Sequence, residues 1–242
     1  MTVWGGRPVE RLAAACRPWA RRLTARQSRP EQSGVTYALN RRLERWMDVD
    51  GGVFIEAGAN DGVFASNTLY FERHRGWTGL LVEPVPELAK KCLANRRARV
   101  ALCSLGSPEQ AGDITKLTYC NLMTIVDGAM GCKAADQEYL RIGRAVQTGE
   151  DPKPYTVYAS VLTLSSLIDS FKLNHVDLLS LDVEGYERQA LAGIDFKRHI
   201  PRFIIVDTQF NRGDIFSMLS GHYDPVEEFG HGDVLFRARG LT

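Results

Sequence analysis

The run Val53-Phe54-Ile55-Glu56-Ala57, followed at once by Gly58-Ala59-Asn60-Asp61-Gly62, constrains this 242-residue chain more than any other stretch. Four apolar or small positions around one glutamate predict a strand buried on both faces, and the glycines after it predict a sharp turn into a helix. The same grammar recurs downstream. Gly79 to Glu83 predicts a second strand, Pro86 opens a helix to about Arg96, and Val100 to Cys103 predicts a third strand. Thr163 is placed to cap a helix from Leu164 to Phe171, ahead of strands at Val176 to Val183 and Phe203 to Val206. Tyr223 to Phe229 and Asp233 to Ala238 flank Gly230-His231-Gly232, a hairpin signal that adds an antiparallel strand at one side. Alternation on this scale predicts an α/β fold, a doubly wound and mostly parallel sheet with helices on both faces.

The ends and one interior stretch depart from that pattern. Seven arginines against Glu10 make the first thirty residues about +6, which leaves about −5 for the rest of a chain whose formal charge is +1. Residues 1–35 are therefore expected to be a basic extension. Its Leu12, Trp19 and Leu23 could meet an anionic membrane surface peripherally, and residues 36–242 are expected to form a single domain. Tyr37 to Met47 is expected to be a helix lidding that domain. Residues 119–158 are glycine-dotted and weakly periodic, which predicts a lid or insertion. The near-balanced charge gives no global field toward nucleic acid. Five scattered cysteines lack zinc spacing and suit a reducing, cytoplasmic setting, and no apolar run is long enough to span a bilayer.

In an open α/β sheet, ligands sit beyond the carboxyl ends of the strands, where the first turn lies. A dinucleotide wants Gly-x-Gly-x-x-Gly and helix amides facing a pyrophosphate. Here Glu56, Asn60 and Asp61 occupy that turn, and two carboxylates would repel a pyrophosphate by ~1 kcal/mol or more per close pair. A sulfonium and an ammonium would be attracted instead, which points to S-adenosyl-L-methionine. Glu83, ending the second strand, is placed to take both ribose hydroxyls.

The segments FIEAGANDGV, NTLYFE, GLLVEPVPEL and VDLLSLDVEGYE resemble FkbM-type methyltransferases, in the same order and over Val53 to Ala238. The resemblance implies the class I, Rossmann-like methyltransferase fold with a seven-stranded sheet, and O-methylation of a hydroxyl. It implies that Glu56, Gly58, Asn60, Asp61 and Gly62 form the cofactor loop, that Glu83 and Pro84 follow it, and that Cys103-Ser104 lies near the adenine. Thr163-Leu164-Ser165-Ser166 stands where many such proteins carry Thr-Leu-Asp-Asp. Size and motif style favour a glycan or lipid-linked glycan acceptor, with 2-O-methylation of the fucosyl group of lipochitooligosaccharide Nod factors as the expected reaction. A macrolide or polyketide hydroxyl is the alternative. A sugar oxidoreductase or epimerase using NAD(P) is the competing class, but the chain has no Tyr-x-x-x-Lys pair. Nor does it show the aromatic and basic features of a nucleic-acid methyltransferase.

On the acceptor side, Asp182 and Glu184 close the fourth strand. Period-two geometry puts them on one side unless the chain has turned by Gly185. They are candidates to hold the methionine ammonium, to bind a cation, or to take the hydroxyl proton. His231 is a second candidate base. Asp207 could join Asp182, but no third ligand supports a metal site, and none is expected.

Overall fold

The computed structural model describes residues 42–146, 154–229 and 232–240. The basic extension, residues 37–41 of the leading helix, and His231 lie outside the described residues. The rest of that leading helix is a single turn at residues 42–44, and its Leu43 and Met47 pack into the core beside Phe54 and Trp77.

The first elements are β1 (Val53–Ala57), α1 (Leu69–His74), β2 (Thr78–Val82), α2 (Pro86–Asn95) and β3 (Arg99–Ala101). A second group follows: β4 (Ser104–Leu105), β5 (Ile114–Tyr119), β6 (Ile125–Val126), α3 (Lys133–Val146) and β7 (Tyr155–Leu162). The chain then returns through α4 (Leu164–Ser170), β8 (Leu178–Leu181), α5 (Glu187–Ala192), β9 (Phe203–Asp207), α6 (Arg212–Leu219), β10 (Tyr223–Glu228) and β11 (Asp233–Ala238).

The main sheet has seven strands in the order β10-β11-β9-β8-β1-β2-β3. The β1, β2, β3, β8 and β9 pairings are parallel, and β11 runs antiparallel to both β9 and β10. The hairpin thus threads its antiparallel strand inside the sheet and leaves β10 at the edge. Alternate residues of β1 enter opposite cores: Ile55 and Ala57 join Leu164, Leu191 and Ile215 on one face, while Phe54 joins Phe71 and Trp77 on the other. Burial on both faces is what makes the central strands continuous apolar runs. The order reverses between β1 and β8, so the crevice of a doubly wound sheet opens above their carboxyl ends. Thr163 caps α4 as expected, its hydroxyl accepting from the Ser166 amide at 3.0 Å.

The described residues of 119–158, the stretch expected as a lid or insertion, contribute to a second sheet, β4-β7-β5-β6, whose strands run from Ser104 to Leu162. Its Leu117, Val126 and Val157 pack on Val85 and Leu88, which seats it over the β2–α2 end of the crevice. Tyr139 of α3 forms a separate small core with Cys120, Met123 and Ile125. Cys92, Cys103 and Cys132 are free thiols, and no described helix is long and apolar enough to cross a membrane.

Candidate active site

The glycines of the first turn are required by packing. Gly58 has φ +78°, and a Cβ there would overlap the carbonyl oxygen of Asp182. Gly62 has φ +79° and lies against α2, where a Cβ would come within 2.9 Å of Arg96 Cγ. Asn60 adopts φ +51°, a conformation asparagine tolerates better than most side chains. The loop is therefore folded tightly between β8 and α2.

Glu56 turns its carboxylate into this frame. It accepts from Ser66 Oγ at 2.8 Å, Thr68 Oγ1 at 2.6 Å and the Asn67 amide at 2.8 Å, with Arg96 Nη1 3.4 Å away. Arg96, wholly buried, also donates to Glu72, Gly62 O, Ser66 and Thr68. Arg96 balances Glu56, so one of the two charges expected to repel a pyrophosphate is compensated. The other is turned aside as well: Asp61 Oδ1 accepts from the amides of Val63 and Phe64 at 2.9 and 2.8 Å, pinning its own turn. Ser66 and Thr68 serve this network, and α1 starts only at Leu69.

Glu83 faces the crevice differently. Its Oε2 accepts from the Asn60 amide at 2.8 Å and its Oε1 from the Val85 amide at 3.0 Å. Burial raises its carboxyl to about 7 against the pull of those two amides. Glu56, Gly58, Asn60, Glu83, Pro84 and Ser104 all line one cleft, together with Asp182 and Glu184 on the β8 side. The cleft encloses about 1110 Å³ counted out to its open mouth. Asp61 and Gly62 stand behind its wall.

Strand periodicity does not explain how Asp182 and Glu184 come together, because β8 has ended at Leu181. A turn brings them round: Glu184 has φ +55° and Gly185 φ +88°. Glu187, which sequence reasoning missed, ties that turn by accepting from the amides of Val183 and Gly185 at 2.9 and 3.1 Å. The Glu184 carboxylate takes a hydrogen bond from Tyr139 of α3, so the second sheet's helix reaches into the site. Burial first and Asp182 next hold the Glu184 carboxyl well above the ordinary range. Asp207 is raised for the same two reasons, with Glu187 and Asp233 adding to the effect. No group of acidic, histidine or cysteine side chains fit to hold a metal occurs among the described residues.

The charge of the cleft is one-sided. Glu56, Glu83, Asp182 and Glu184 are its described acidic lining residues, and no lysine, arginine or histidine is among the described lining residues. That donor set fits a group bearing a ribose diol, a sulfonium and an ammonium.

The chain is similar to known methyltransferases. The relative 31-O-demethyl-FK506 methyltransferase FkbM of Streptomyces tacrolimicus is 28% identical over 198 residues, 71% of this chain and 72% of its own length. A solved structure, Burkholderia thailandensis 1,6-didemethyltoxoflavin-N1-methyltransferase with bound 1,6-didemethyltoxoflavin and S-adenosylhomocysteine, aligns with a TM-score of 0.40 at 13% identity, covering 98% of this chain and 93% of its own. The profile of the methyltransferase FkbM domain matches residues 56–240. The chain belongs to the FkbM methyltransferase domain family and is a methyltransferase that takes its methyl group from S-adenosyl-L-methionine.

Proposed function

We propose that this enzyme methylates a hydroxyl on an uncharged, largely apolar acceptor of the macrolide or polyketide type. The observation that carries the reading is the composition of the cleft: Leu117, Leu122 and Val126 of the second sheet wall it opposite Asp182 and Glu184, and no described lining residue carries a positive charge. An acceptor bearing phosphate or sulfate would meet the acids Glu83, Asp182 and Glu184 with no cation on the lining beside them, whereas an apolar ring system would be desolvated against the aliphatic wall. The relative that acts on 31-O-demethyl-FK506 supports the same class.

The bound donor supplies an electrophilic methyl on a positively charged sulfur. With the donor bound, Glu83 would hold the ribose through its remaining lone pairs, Ser104 with Cys103 would border the adenine and Asp182 would face the ammonium, over the loop that Gly58 and Asn60 shape. Glu184, held by Tyr139, would take the proton of the attacking hydroxyl, and the walls of the cleft would position that hydroxyl for attack. The 2-hydroxyl of a fucosyl group on a lipochitooligosaccharide is the second reading, favoured by Asn121 and Thr124 on the same wall.

Transfer of labelled methyl to 31-O-demethyl-FK506, to fucosylated chitooligosaccharides and to nucleotide-linked sugars tests this. Label is expected on the macrolide, the fucosyl product would favour the second reading, and label confined to the charged sugars would refute both. Glu184→Gln is expected to lower kcat by about 10²–10⁴-fold with little change in donor KM.

A further inference from the structure

Asn67 stands just before α1 and binds across the crevice. Its backbone amide donates to Glu56 Oε1 at 2.8 Å, and its side-chain Nδ2 donates to Ser180 Oγ at 3.0 Å. Glu56 of β1 and Ser180 of β8 are register partners, so Asn67 spans the two strands that flank the switch point. It lines the cleft, yet its Oδ1 is closed off from water and has no hydrogen-bond partner. A buried carbonyl left without a donor is uncommon in a folded protein, and one at the lip of a ligand cleft marks a place for a donor the ligand brings.

We propose that Asn67 Oδ1 accepts a hydrogen bond from the α-ammonium of the methionine half of the methyl donor; this rests on the donor reading above. The sheet order fixes which half of the ligand arrives here. Ser104 follows β3 and Glu83 follows β2, so a ligand with its adenine and ribose at those ends lays its remaining part over β1 and β8. That part carries one donor, the ammonium, and one acceptor, the carboxylate, and a carbonyl oxygen can serve only the first. Asp182 and Glu184 beside it make the surroundings favourable for a cation. The torsion that aims an asparagine amide is broad and soft, so the whole carboxamide can turn its carbonyl toward the cleft, with Nδ2 giving up Ser180 Oγ as the ligand's ammonium takes up Oδ1.

The test is calorimetric binding of two probes to the full chain. S-adenosylhomocysteine carries the amino-acid end, and 5′-methylthioadenosine lacks it. Asn67→Ala is expected to weaken S-adenosylhomocysteine about tenfold and methylthioadenosine less than twofold. Asn67→Asp, which keeps an acceptor, is expected to stay within about threefold of the parent for S-adenosylhomocysteine. Equal loss for both probes would make Asn67 a scaffold residue and overturn the proposal. So would no loss, or an aspartate variant as weak as the alanine one. If the parent chain binds neither probe, the donor assignment itself fails, and that result is distinct from a failure confined to the variants.

Discussion

Glu83 has its two oxygens each half satisfied: one backbone amide apiece, a position at the end of a buried strand, and a carboxyl raised to about 7 by burial. A ribose diol is a better partner for the ionised form, because a carboxylate accepts two hydroxyl donors where the neutral acid accepts fewer. Affinity for S-adenosylhomocysteine should therefore be flat above pH 7.5 and fall up to tenfold for each pH unit below about 7. Calorimetry from pH 5.5 to 8 would show it, and in Glu83→Gln this part of the slope should vanish together with most of the affinity. Gly58 makes the opposite kind of demand, on backbone alone. Gly58→Ala adds a methyl where Asp182 places its carbonyl oxygen and forces a side chain into the left-handed region. A loss of about 2–4 kcal/mol in urea unfolding is expected.

At the scale of elements, Arg96 joins more of the structure than any residue of the loop it serves. It stands just after α2 and reaches Glu56 of β1, Glu72 of α1, and the Ser66–Thr68 segment between them. Arg96→Met fits the space but leaves two buried carboxylates without their counter-charge, which should cost about 3–5 kcal/mol by chemical denaturation. The triple change Arg96→Met, Glu56→Gln and Glu72→Gln should recover much of that loss, and failure to recover any would show that the network is not an electrostatic unit. None of this could be read along the chain, because Arg96 and Glu56 are 40 residues apart and nothing in local pattern pairs them. Glu83, by contrast, was legible: a strand end fixes its place whatever surrounds it. The same distinction separates the two sheets. The central strands β1, β2, β8 and β9 are mostly apolar because both faces are covered. β4 and β6 are two residues long, and β7 buries only Val157, Ala159 and Val161 among exposed neighbours, so hydrophobic pattern had little to register. Asp182 and Glu184 were found together for a reason other than the one periodicity offers, since a tight left-handed turn aligns them.

For the whole molecule, the carboxyl ends of β8 and β9 gather Asp182 and Glu184, half-buried at the cleft, with the buried Glu187 and Asp207, and Asp233 of β11 lies opposite Asp207 in register. Tyr139 is a hydrogen-bond donor to this group from α3, and no described cation bonds to Glu184, Glu187 or Asp207. Glu83, Glu184, Glu187 and Asp207 all have carboxyls raised in the folded chain, burial being the first cause in each. A carboxyl raised on folding binds its proton more tightly in the native state than in the unfolded one. Stability from such a group is present below the unfolded value near 4–4.5 and is lost as pH rises through the folded value. The exposed carboxylates paired with arginine, Asp169 and Asp224 among them, pull the other way only at lower pH and are screened by solvent. The free enzyme should therefore unfold at a higher temperature at pH 5.5 than at pH 8. Saturating S-adenosyl-L-methionine brings a sulfonium and an ammonium to the same acids and favours their ionised forms. It should raise Tm more at pH 8 than at pH 5.5, so that the two pH curves converge when the donor is bound. Scanning calorimetry with and without donor reads both effects. A Tm that rises from pH 5.5 to 8 in the free enzyme would mean that these acids are ionised and solvated in the native state, and that the donor's charge meets no buried acid cluster.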